Sequence, residues 1–232
     1  MANTGEMIDQ CLDRMGAGRQ SNTRLTAKIL AQLNAVYATL CGMQNWEWLK
    51  ARASLATTES GTYIALPTVV KAGVTVNAVS RVLFVVLDST GVPLQYKPEF
   101  IDLVQEGTSL ALRGPGGPRY WCVTTGTDGV TKELLIIPIV GAVDSLTVWY
   151  LRSFSSLKLV ELTDVPAFDE EYHQFLVERA MTVLAAADGT FDPQVAGMAQ
   201  REAFEIYRAM MHTSRKGQPP IRSLRWGGHG HF

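Results

Sequence analysis

A tract patterned like β-structure, residues 51–154, lies between two tracts patterned like helix. This order constrains the fold more than any single motif. The apolar face of residues 25–40 has no helical partner of its own length nearby, and the pair at 168–187 and 193–212 can supply one. Exposed apolar stripes are costly, so the two ends of the chain are expected to meet in one bundle. The class is then α+β: a helical bundle of N- and C-terminal helices, an inserted antiparallel β subdomain and an extended C-terminal tail. The expected units are 1–50, 51–154, 155–213 and 214–232.

Local signals set the elements. Asn3 and Glu6 can form a capping box ahead of Met7, Ile8, Cys11, Leu12 and Met15, and Gly16 and Gly18 stop that helix. Ser21, Asn22 or Thr23 can cap the next helix, whose stripe is Leu25, Ile29, Leu33, Val36, Tyr37 and Leu40. In the β tract, Tyr63–Pro67 alternates and 78–87 is β-branched and aromatic. A short helix is expected over 98–106, and a hairpin joins 119–125 to 133–139 through Gly126–Gly129. Hairpin-length links imply antiparallel pairing throughout. Asp169, Glu170 and Glu171 suit the first turn of a helix carrying Tyr172, Leu176, Ala180, Val183, Leu184 and Ala187. A second helix near Pro193 has Ala199, Ala203, Phe204, Tyr207 and Met211 on its buried side. The helical pattern stops after Thr213.

Chemistry is hard to find. A net charge of −1 argues against coating nucleic acid by charge alone. No apolar run reaches the roughly 18 residues of a membrane span, and the N-terminus lacks the form of a signal peptide. Cys11, Cys41 and Cys122 read as free thiols in a reducing cytoplasm. Arg113–Tyr120 is glycine-rich but lacks the ending of a phosphate loop. His173 and His212 sit alone on polar faces of separate helices, and His229 and His231 share a glycine-spaced tail, so neither a metal nor a cofactor is expected. Asp169, Glu170 and Glu171 read as a solvated helix start rather than as acid–base groups.

The sequence resembles the head-to-tail adaptor (connector) proteins of tailed bacteriophages. The features that carry the resemblance are ordered along the chain: Asn45-Trp-Glu-Trp-Leu49 at the end of a long helix, then Thr57, Thr58 and Gly61 leading into Tyr63–Pro67. Gly117–Tyr120 opens a later strand, Leu135–Pro138 closes its partner, and Asp164-Val-Pro166 leads into the C-terminal helices. The resemblance implies a structural, non-enzymatic protein of the virion, made in the host bacterial cytoplasm. It implies a twelvefold ring of copies docked beneath the portal protein ring. The ring extends the channel, lets DNA pass without tight binding, and offers a face to a downstream tail hub, nozzle or tail protein. No membrane is involved.

On that basis Trp46 and Trp48 are expected at the junction of bundle and sheet, where a large ring fixes the angle between two subdomains. The tail is expected to dock on the portal or on a neighbouring subunit, using Arg215, Lys216, Arg222, Leu224, Arg225, Trp226 and Phe232. Two other readings stay open. A virion-associated peptidoglycan hydrolase would use Glu170 or Glu171. A β module binding carbohydrate or nucleic acid would use Trp46, Trp48 and Trp121 as stacking platforms.

Overall fold

The computed structural model describes residues 2–16, 23–57, 63–101, 117–129, 131–138, 144–188 and 193–216. Helix α1 is Thr4–Arg14, with both halves of the Asn3–Glu6 capping box formed, and Gly16 past its end takes a φ of +65°. Helix α2 is Thr23–Met43. A 3-10 turn, Glu47–Leu49, hands the chain to the first strand.

Among the described residues ten strands follow: β1 (Lys50–Ala56), β2 (Tyr63–Ala65), β3 (Thr68–Lys71), β4 (Val74–Asn77), β5 (Val79–Leu87), β6 (Val92–Pro93), β7 (Gln95–Tyr96), β8 (Tyr120–Thr125), β9 (Lys132–Ile137) and β10 (Ser145–Arg152). One sheet runs β1-β10-β5-β6, a second β2-β9-β8-β7, and β3 and β4 form a separate ribbon. The two sheets share a core. Val79, Val82, Val85, Leu146 and Val148 come from the first, and Leu134, Ile136 and Trp121 from the second. Along β5 the inward positions run Val79, Val82, Val85 and Leu87, with two steps of three residues because the register against β10 shifts twice, as β-bulges do. Strand β9 reads as the unbroken apolar run Leu134–Ile137 because both of its faces are covered: Cys122, Leu135 and Ile137 pack with Phe100 and Ile101 on the far side.

Among the described residues pairing is antiparallel with one exception. The short strand β7 runs parallel to β8, Gln95 against Tyr120, which corrects the expectation of purely antiparallel sheets. A two-residue strand needs no crossover helix, since it only lies beside its partner before the chain turns away. Of the helix expected over 98–106, only 98–101 is described, a turn entering helical geometry at Phe100. The rest of that segment lies outside the described residues.

The chain returns to helix with α3 (Phe154–Leu157), a 3-10 turn at Glu170–Tyr172, α4 (Gln174–Asp188) and α5 (Pro193–Lys216). Asp169 therefore precedes a 3-10 turn rather than starting the α-helix, and α5 runs past Thr213 to include Arg215 and Lys216. The bundle core joins both ends of the chain: Met7 and Ile8 of α1, Leu33 and Tyr37 of α2, Leu176 and Met181 of α4, and Ala199 and Met210 of α5. Two expected positions differ. Phe204 is 59% exposed, because Ala203 and Met210 carry the buried stripe of α5. His173 is 2% exposed rather than on a polar face. Its ring nitrogens lie 2.9 Å from the Phe168 carbonyl oxygen and 3.2 Å from that of Ala2.

Candidate functional site

The link from α2 to β1 holds the two tryptophans. Trp46 is 1% exposed, and its Nε1 donates to the Leu40 carbonyl at 2.7 Å. That bond satisfies one of the carbonyls that every helix end leaves without an intrahelical partner. The 3-10 turn brings Trp48 over Trp46, ring centroids 6.2 Å apart and planes 22° apart. Trp48 also faces Tyr37 at 6.0 Å and Phe168 at 5.4 Å, while Trp46 meets Tyr207 of α5 edge-on at 6.3 Å. The Trp48 carbonyl accepts from the Arg152 guanidinium at the end of β10. One aromatic cluster thus touches α2, α5, the lead-in to α4, and the last residue of the central strand.

Polar side chains fix the lead-in segment to this cluster. Asn34, in the middle of α2, donates to the Leu159 carbonyl at 2.8 Å and accepts from the Leu159 N–H at 2.9 Å. It completes both backbone groups of a residue outside any helix or sheet, as a neighbouring strand would. The buried Tyr37 hydroxyl accepts from the Ala167 N–H at 2.9 Å. Burial raises the Tyr37 pKa above the usual phenol range, so the hydroxyl stays protonated. Asp164 accepts from the N–H groups of Val160 at 2.7 Å and Glu161 at 3.0 Å, and its Oδ1 lies 3.5 Å from Lys71 Nζ on the β3–β4 ribbon. The Asp164 carbonyl accepts from both the N–H and the hydroxyl of Thr4, each at 2.8 Å. This one residue ties α1, the ribbon and the lead-in together.

A buried carboxylate escaped the sequence reading. Glu178 is fully buried, paired with Arg14 of α1 and accepting from Gln174. Glu202 of α5 lies 3.9 Å from the same guanidinium. The nearby Glu178 charge raises the Glu202 pKa. The signal was present in the sequence: Glu178 is flanked by Phe175, Leu176, Val177, Ala180 and Met181, a stretch apolar on nearly every side.

The groups suited to covalent or metal chemistry have ordinary surroundings. Burial pushes the Cys11 and Cys41 thiols up to about 12 and that of Cys122 to about 11, so each is protonated at neutral pH and serves as packing. Among the described residues no three His, Cys, Asp or Glu side chains are grouped to hold a metal ion. Glu170 and Glu171 are exposed neighbours on one turn. Trp121 is 4% exposed and donates to the Leu94 carbonyl at 3.1 Å, so it offers no free face for stacking. No helix among the described residues is long and apolar enough to cross a membrane. In the tail, Arg215 and Lys216 belong to α5, whereas Arg222, Leu224, Arg225, Trp226, His229, His231 and Phe232 lie outside the described residues.

A family model described as SU10 adaptor protein matches residues 2–224. The chain belongs to the SU10 adaptor protein family. The SU10 adaptor match takes in both helical ends and the inserted sheets, in agreement with the resemblance to phage head-to-tail adaptors. Membership points to a structural adaptor role in a phage particle, and so to a virion protein with portal and tail components for partners. Among curated proteins none matches the chain.

Proposed function

We propose that this SU10 adaptor assembles as a twelvefold ring beneath the portal protein ring, continues the DNA channel, and presents its lower face to a tail hub, nozzle or tail protein. The family match over nearly the whole chain carries this reading. The architecture supports it: a rigid bundle gives lateral and axial contact surfaces, and the inserted sheets project a second body from it. Such work needs no nucleophile or cofactor. A net charge of −1 suits a channel wall, because a strongly basic lining would hold the phosphates of passing DNA. Trp46 and Trp48 set the angle between bundle and sheet. The basic, aromatic tail, with Arg215 and Lys216 at its root and Arg222, Leu224, Arg225, Trp226 and Phe232 beyond, secures the ring to the portal. Imaging of purified virions tests the assignment. The protein is expected as a ring between portal and tail, and its absence from particles, or a place on the tail tip, would overturn it.

A further inference from the structure

The aromatic cluster opens to solvent at a cleft of about 300 Å³, at the small end for a ligand pocket. Its wall is apolar: Trp46, Trp48, Phe168, Tyr172 and Met210. Its polar lining includes Asp169 and Glu47, the latter ion-paired with Lys50, and the exposed Glu170 and Glu171 follow Asp169 on the same turn. Trp48 Nε1 is buried with no hydrogen-bond partner. Thr213 and Ser214 complete the rim, and Thr213 is joined to Tyr172 by a hydroxyl–hydroxyl bond of 2.9 Å. Helix α5 ends at Lys216, two residues past Ser214. The remaining sequence therefore starts at the edge of this cleft.

We infer that the cleft is the seat of the chain's own C-terminal segment, with Leu224 and Trp226 against the aromatic wall and Arg222 and Arg225 at its carboxylates. The chemistry is complementary on both counts. Residues 217–232 contain no Asp or Glu, and their cations alternate with Ile221, Leu224, Trp226 and Phe232. Reach is sufficient: the eight residues from Lys216 to Leu224 can span at most about 28 Å, against a rim only two residues from the helix end. Tethering at this length gives an effective concentration of order millimolar, so even a weak seat fills within one chain. The inference concerns the free chain and stands apart from the portal reading. A tail seated here is held in reserve until a stronger partner draws it away.

Disulfide trapping in the full-length protein tests it. With Asp169→Cys and Arg225→Cys, dilute oxidation is expected to give a covalent monomer whose peptide map joins positions 169 and 225. Glu47→Cys with Arg225→Cys should do the same, which guards against one pair failing to fold. Arg208→Cys with Arg225→Cys lies within similar reach along α5 and should cross-link far less. Adding Leu224→Ser and Trp226→Ser, or raising the salt, should lower the yield at position 169. Equal yields at 169 and 208 would show an untargeted tail and overturn the inference. Covalent dimers in place of monomers would assign the cleft to a second copy's tail and overturn it as well.

Discussion

Asp164 shows how much of this fold hangs on single polar residues. Burial alone would raise its pKa, but the N–H groups of Val160 and Glu161 and the Lys71 ammonium outweigh that and hold it below the ordinary 3.8. A depressed folded-state pKa means the unfolded chain binds the proton more readily. The stabilisation is present above the unfolded value and is lost as pH falls through the lower folded one. Asp164→Asn should therefore cost about 2 kcal/mol at neutral pH by urea denaturation, with the gap to the parent closing as the pH falls past the ordinary carboxylate value of 3.8. A gap independent of pH would mean the carboxylate charge is not what matters. Arg14 is a different case. It is the cation paired with a fully buried carboxylate, and removing it strands that charge. Arg14→Ala is expected to cost about 3 kcal/mol, and adding Glu178→Gln should restore part of the loss. Additive costs in that double-mutant cycle would show that the pair is not coupled.

At the scale of elements, local signals were legible and distant ones were not. The Asn3–Glu6 capping box, the stripe of α2 and the β8–β9 hairpin rest on neighbours within a few positions, so spacing revealed them. The parallel β7–β8 ladder could not be read, because two residues carry no periodicity and their partner lies far along the chain. His173 looked like a surface residue on its own helix. The carbonyls of Ala2 and Phe168 that enclose it come from the N-terminus and the lead-in. The aromatic cluster was half visible: the tryptophan pair stood out, whereas Tyr37, Phe168 and Tyr207 join it only in three dimensions. The β3–β4 ribbon was missed although its turn is readable. Lys71-Ala72-Gly73-Val74 places both central residues at positive φ, +51° for Ala72 and +76° for Gly73. Glycine tolerates this and alanine does not, while asparagine suits the first position of such a turn. Ala72→Asn should stabilise the protein by roughly 0.5–1 kcal/mol, seen as a higher Tm. A lower Tm would mean that Ala72 makes packing contacts that outweigh its strain.

For the whole molecule, no long heptad seam is present to drive association in solution. The purified chain is expected to be monomeric by light scattering and to form its ring only on the portal; a stable ring without portal would contradict this. Truncation after Lys216 should lower the thermal unfolding temperature only slightly, through loss of the seated tail, since the bundle core is built from residues up to Met211, yet weaken attachment to portal rings in co-sedimentation. Equal attachment would remove the tail from the docking surface. The pairing of β1 with β10 has a wider meaning. Lys50 and Leu151 are register partners on adjacent strands, so the chain leaves the bundle and comes back to it at two points only one strand spacing apart, about 5 Å. A gap that narrow is a grafting port. Any fold whose own ends meet at that spacing can be seated there without redesigning the helices, so what projects from the bundle can be exchanged while the bundle itself is kept.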